Sequence, residues 1–190
     1  MTNYGLTGES RVVGGVLVHR IRAITDLPAH GIKAGTVGGW ISSVRLPDGS
    51  PRISDNAWLA DDAVASGDSR LSDNAWASGN ARLEHSVYVT DDARVSGNAW
   101  LHGHILVGGD ARVFENAWLL GEAIVRENAR VHGWALVHSN AIVEGCADLS
   151  GECVVRRQAR AAGKEVVTGR TVLDGSPTLL RTSWERSAAA

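Results

Sequence analysis

Asp92-Ala93-Arg94-Val95-Ser96-Gly97-Asn98-Ala99-Trp100-Leu101-His102-Gly103 decides the fold. Its two halves repeat one phrase: an acid or amide, a small residue, a variable residue, an aliphatic residue, another variable residue, a glycine. The same period of six runs without slip from Ile53 to Leu173. The small position holds Ala57, Ala63, Ser69, Ala75 and so on to Ala147, and the aliphatic one Leu59, Leu71, Leu83 and so on to Val155. Residues two apart share one face of a strand, so small and aliphatic residues point one way and the residue between them the other. A helical face repeats at about 3.6 residues and cannot carry this pattern. Gly-Asn, Gly-Asp and Asp-Asn pairs supply the positive φ that a corner needs. Each hexad is a short strand plus a corner, and three corners close a triangular coil. The chain therefore reads as all-β, a single-stranded parallel β-helix. At about 4.8 Å per coil it makes a rod on the order of seven coils long.

These hexads, above all the Asn-Ala-Trp and Asn-Ala-Arg ones, resemble the hexapeptide-repeat superfamily, to which many acyltransferases belong. With the leader Ile32-Lys33-Ala34-Gly35-Thr36-Val37-Gly38-Gly39-Trp40-Ile41, the sequence is most similar to the YdcK-like group. The resemblance covers roughly the first 170 residues. It implies a left-handed helix, which the period alone does not fix. It also implies packing as trimers, and for the enzymes of the superfamily an acyl-CoA donor with a histidine base in a cleft between subunits.

One domain accommodates 190 residues. A net charge of −2 provides no global field for nucleic acid or membrane. No apolar run is long enough to span a bilayer, and the N-terminus has no basic-then-apolar signal. Cys146 and Cys153 are too few for a disulfide framework. These features place the protein in the cytoplasm.

In chain order, residues 1–38 read as a cap. The first ten look loose, and Arg11 to Ile24 alternates around Gly14-Gly15 as a β-hairpin. A solenoid end exposes unpaired strand groups and needs such a cover. Residues 39–173 form the β-helix, with a loop at Pro47-Asp48-Gly49 and Trp40 placed one coil before Trp58. Residues 174–190 form a C-terminal tail, with a helical stretch around Leu179, Leu180 and Trp184.

Residues 18 apart stack in columns on three faces. The first face carries Trp40, Trp58 and Trp76, then Arg94, Arg112 and Arg130. The three arginines form an anion-binding candidate, against which stands a self-neutralised ladder using Asp92, Asp110 and Glu127. The second face carries Val64, Arg82, Trp100, Trp118, Leu136 and Val154, with Leu120 beside them. The third carries Tyr88, Leu106, Ile124 and Ile142. Flat apolar faces of this extent mark an interface. Trp100, Trp118, Leu120, Leu136, Leu106, Ile124 and Ile142 are the candidate contacts of a homo-oligomer, a trimer by resemblance.

Polar chemistry gathers at one corner: Glu84, His85, Ser86, His102, His104 and Glu122. His104 and Glu122 are 18 apart and stack, and His102 shares a column with His138 with Leu120 between them. A carboxylate beside an imidazole orients a general base, which makes His102, His104 and Glu122 the candidate catalytic set. The gamma-class carbonic anhydrases, which the spacing of His102 and His138 resembles, use a second local histidine where Val143 stands here, so no metal site is assigned. Two functions follow: a non-catalytic scaffold or binding module that self-associates through its apolar faces, without a cofactor, or an acyl-CoA-dependent acyltransferase. The uninterrupted register, with no loop projecting from a coil, favours the scaffold.

Overall fold

The computed structural model describes residues 2–175. They form an all-β parallel solenoid apart from one 3-10 turn, Pro28–His30. Its strands lie on three faces. The first face holds seven strands from Trp58–Leu59 to Val166–Val167, and the third six from Arg70–Leu71 to Arg160–Ala161. The second runs from Val64–Ala65 to Val172–Asp174 and continues at its N-terminal edge into the cap. The six-stranded face sets the count at six full turns. The C-terminal tail, with Leu179, Leu180 and Trp184, lies outside the described residues.

The strands of each coil are hydrogen-bonded to those of the next, while bonds within a coil close its corners. The amide of Arg94 donates to Ala111 O at 2.9 Å and that of Ser96 to Val113 O at 2.9 Å. This fixes an 18-residue register, with Arg94 beside Arg112 and Val95 beside Val113. Val95, Val113, Leu101, Leu119 and the alanine columns are fully buried in one continuous core. The small position is needed because three walls converge inside a narrow prism.

The corners explain why a hexad tolerates either glycine or an acid. Asp91, Glu115 and Glu127 hold positive φ, which costs a residue with a Cβ. Each returns a hydrogen bond: the amides of Gly109, Gly133 and Gly145, one coil on, donate to these carboxylates at 2.8 Å. At Gly103, where φ is 122°, a Cβ would strike the carbonyl oxygen of Gly121, and only glycine serves. Corner amides add ladders such as Asn80–Asn98–Asn116, at 3.1 and 3.0 Å.

The N-terminal cap is larger than the sequence suggests. β1 (Tyr4–Val13) is a ten-residue strand, so the first ten residues are not loose. It pairs antiparallel with β2 (Val16–Ala23) across the Gly14-Gly15 turn. β2 pairs with β3 (Val37–Ile41), and β3 joins the second face through Trp40 beside Val64. Trp40 therefore belongs to the second face, not to the first face with Trp58. The loop before Ile53 places 24 residues, not 18, between Trp40 and its neighbour. Trp58 is also not an exposed ladder residue: it is 1 % exposed and packed into the core under the cap. Gly38 lets the chain pass so close that a Cβ there would lie 2.8 Å from the Trp58 ring.

Arg52, 1 % exposed, pins that loop. Its guanidinium donates to the carbonyl oxygens of Ser43, Ser69 and Gly67 at 2.7–2.8 Å and to the hydroxyls of Ser42 and Ser43. Burial holds its pKa below the ordinary arginine value.

Two substitutions test the register. Val95→Asp puts a charge into the dry prism and should destabilise by about 4 kcal/mol or more. Ser96→Asp, one residue on and outward, should change stability by no more than about 0.5 kcal/mol. Equal thermal melting of the two variants would contradict the alternation.

Candidate functional site

The second face is where backbone geometry and chemistry meet. Four of its strands run to four residues, twice the usual length in the coils: Arg82–His85, Trp100–Gly103, Trp118–Gly121 and Leu136–Ser139. They carry Glu84, His102, Leu120 and His138 outward in one register column. The hairpin tip arches over the start of this face. Val13, Val18, Trp40 and Val64 form a separate small apolar cluster beneath it.

Asp62 clamps the hairpin. Its Oδ1 accepts from Trp40 Nε1 at 3.0 Å and lies 3.3 Å from the guanidinium nitrogens of Arg11 and Arg20. Both guanidinium groups lie over the Trp40 ring, at 4.1 and 4.8 Å from its centre. The Trp40 hydrogen bond, with the two positive charges, holds the Asp62 carboxyl below the usual aspartate range.

Between the tip and the coils lies a cleft of about 520 Å³, lined by Val13, Gly14, Val16, Arg82, Glu84, His85, Trp100 and His102 among others. Glu84 is its centre. Its Oε2 accepts from Trp100 Nε1 at 3.0 Å and lies 3.3 Å from His102 Nδ1, while Oε1 faces Arg82 Nε at 3.7 Å. His102 also packs against the His85 ring, centres 4.1 Å apart, and edge-on to Trp100 at 5.5 Å. With Nδ1–H directed at Glu84, Nε2 becomes the basic nitrogen of His102. The arrangement is an oriented imidazole in a walled cleft.

The other two predicted catalytic residues lie elsewhere. His104 and Glu122 line a shallow groove around the corner with Tyr88, Leu106 and Ile124. Glu122 accepts from Asn140 Nδ2 at 2.6 Å, and the two make no hydrogen bond with each other among those of the described residues. Sequence spacing names the column but not the rotamers, so it pairs His104 with Glu122 where the structure pairs His102 with Glu84. Among the described residues no three His, Cys, Asp or Glu side chains converge as metal ligands.

The candidate interface residues line up as the columns require. Trp100, Trp118 and Leu136 stand in one column on successive coils, as do Leu106, Ile124 and Ile142. Trp118 is 43 % exposed and meets Trp100 edge-on at 5.2 Å, while the aliphatic members and Leu120 are half-buried against their neighbours. Trp134, 63 % exposed, was missed. It replaces asparagine in the Asn80–Asn98–Asn116 corner column, a break in the repeat that the sequence does display.

On the first face, Arg94, Arg112 and Arg130 stack in register and line a groove of about 220 Å³ with Ser96 and Phe114. Asp92 accepts from Asn74, Glu127 from the Gly145 amide, and no carboxylate among the described residues forms an ion pair with any of the three. His30 packs on Trp76 at the head of the column; burial, then the charge of Arg94, hold its pKa below the ordinary histidine value.

No family model matches the chain, and comparison with curated proteins finds no match.

The Asp62 clamp has a pH signature. A carboxyl with a lowered folded pKa stabilises above its unfolded value, near 4, and loses that contribution as pH falls through the folded value. Hydrogen exchange of β2 should therefore stay protected down to about pH 4 and weaken below it. Asp62→Asn should show weakened protection already at neutral pH, and unaltered protection in that variant would contradict the clamp.

Proposed function

We propose that this β-solenoid is a non-catalytic scaffold that assembles with copies of itself through its second and third faces. One observation carries the reading: Trp118 stands exposed on the second face, Trp134 stands exposed at the corner that leads into it, and apolar residues continue through Leu136 and, on the third face, Leu106, Ile124 and Ile142. The hairpin covers the head of the second face, over Trp40, Val64 and the cleft at Glu84 and His102, and this apolar strip begins beyond it. Burying one large apolar side chain contributes roughly 1.5–3 kcal/mol, and several together offset the entropy lost on association. Parallel rods about a three-fold axis would bury the same strip on every subunit and leave no open edge. The resemblance of the hexads to the hexapeptide-repeat superfamily, and to its YdcK-like group, supports a trimer.

The cleft supports a second reading, an acyl-CoA-dependent transferase. There His102 Nε2 would take the proton of an acceptor hydroxyl or amine as it attacks the thioester carbonyl, Glu84 would hold the imidazolium, and as the C–S bond breaks the proton would pass to the departing CoA thiolate. Acetyl-CoA is the donor to test. Acyl transfer from acetyl-CoA that His102→Gln abolishes while donor binding persists, and that His104→Gln leaves intact, would favour this reading over a bare scaffold.

Sedimentation tests assembly directly. The wild type should run as a trimer at micromolar concentration, and Trp118→Lys with Ile124→Lys should run as a folded monomer, because neither side chain fills the prism. A monomeric wild type would sink the scaffold reading.

A further inference from the structure

The arginine column on the first face is independent of both the apolar strip and the cleft. Its backbone neighbours fix the three residues at successive coils, about 4.8 Å apart, so that they span about 10 Å along the rod. Like charges at this spacing repel, and a folded protein ordinarily sets acids among them. Here no carboxylate among the described residues forms an ion pair with the three arginines, and several of the nearby acids make their bonds elsewhere. Glu127 serves a corner amide, Asp92 serves Asn74, and Asp148, next in the column after Arg130, lies 2.9 Å from His132 Nε2. The contrast within the molecule is sharp. Arg126 and Arg160 converge on one buried carboxylate, Glu144, whose pKa they hold down, the hydrogen bond from Arg126 first.

The groove beside the column is shaped as well as charged. Phe114 and His132 stack face to face, ring centres 4.6 Å apart and planes within 4°, and Phe114 lines the groove together with Ser96. An apolar wall beside the guanidinium groups lowers the local dielectric and strengthens their attraction for an anion. Guanidinium forks match phosphate oxygens two at a time.

We propose that Arg94, Arg112 and Arg130 form a binding site for a small oligophosphate. Three cations in a row fit a ligand with two or three linked phosphate groups better than a single one. The groove, about 220 Å³, falls below the size of pockets that enclose drug-sized molecules, so it takes the phosphate chain rather than a large attached group. A nucleic-acid track would need a broad basic excess, and the chain carries a net charge of −2.

Calorimetry with inorganic tripolyphosphate on the full chain tests this. Binding should be 1:1, should weaken as salt is raised, and should exceed that of orthophosphate by about tenfold or more. Arg112→Gln should lower the affinity by about tenfold. The variant with all three arginines changed to glutamine should not bind, with thermal melting confirming that it folds. Arg126→Gln, on another column, should bind as the wild type does. Absence of binding by the wild type at low salt, or undiminished binding by the triple variant, would overturn the proposal. So would a short oligonucleotide that binds more tightly than tripolyphosphate, which would make the face a nucleic-acid groove.

Discussion

Everything in this molecule depends on the hydrogen bonds that join each coil to the next. They allow no slip, because a shift of one residue would turn every alanine and valine of the prism outward. They demand a corner at every sixth residue, and the corner demands positive φ. Glycine meets that demand by lacking a Cβ, and aspartate or glutamate by accepting a hydrogen bond from the amide above, as Asp91 does from Gly109. Because inward positions are so constrained, chemistry is left to the outward residue of each hexad. Function, on this fold, is written in columns.

The same hydrogen bonds leave a problem at the ends, and the N-terminal cap is the solution. β1 and β2 continue the second face as antiparallel strands, so the first coil presents no bare edge there. The hairpin tip then folds back over Trp40 and Val64, held by Asp62, Arg11 and Arg20. Capping and site-building are one act, since the cleft around Glu84 and His102 exists only because the tip roofs it. Arg52 does comparable work below, where a buried guanidinium satisfies the carbonyl groups of an otherwise irregular loop.

The core was readable from the sequence because it is periodic: Val95, Leu101 and Ala99 are inward by alternation alone. The columns followed from the same period, and the pairings of Trp100 with Trp118 and of Leu106 with Ile124 are those the count of 18 requires. The reading failed where the period stops. Trp40 was assigned to the wrong face because the loop before Ile53 adds six residues to the coil. The length of β1 was hidden because its alternation is weak and, Tyr4 apart, its side chains are exposed or only half-buried. At the site, spacing placed Glu84, His102, His104 and Glu122 near one corner but could not choose partners. The choice is made by Trp100, whose indole N–H fixes Glu84 where His102 can reach it. The arginines were legible as a column, while their lack of acidic partners depends on side-chain directions that no repeat encodes.

Both proposals for what the faces bind rest on that outward register, so distances along one face are the most direct check. Spin labels placed pairwise at position 94 with 130, 148 and then 166, all in one column of the first face, should give separations that rise by about 4.8 Å per step. Separations that fail to rise in equal steps, or that match only when one position is moved to a neighbouring residue, would contradict the stacked-column account.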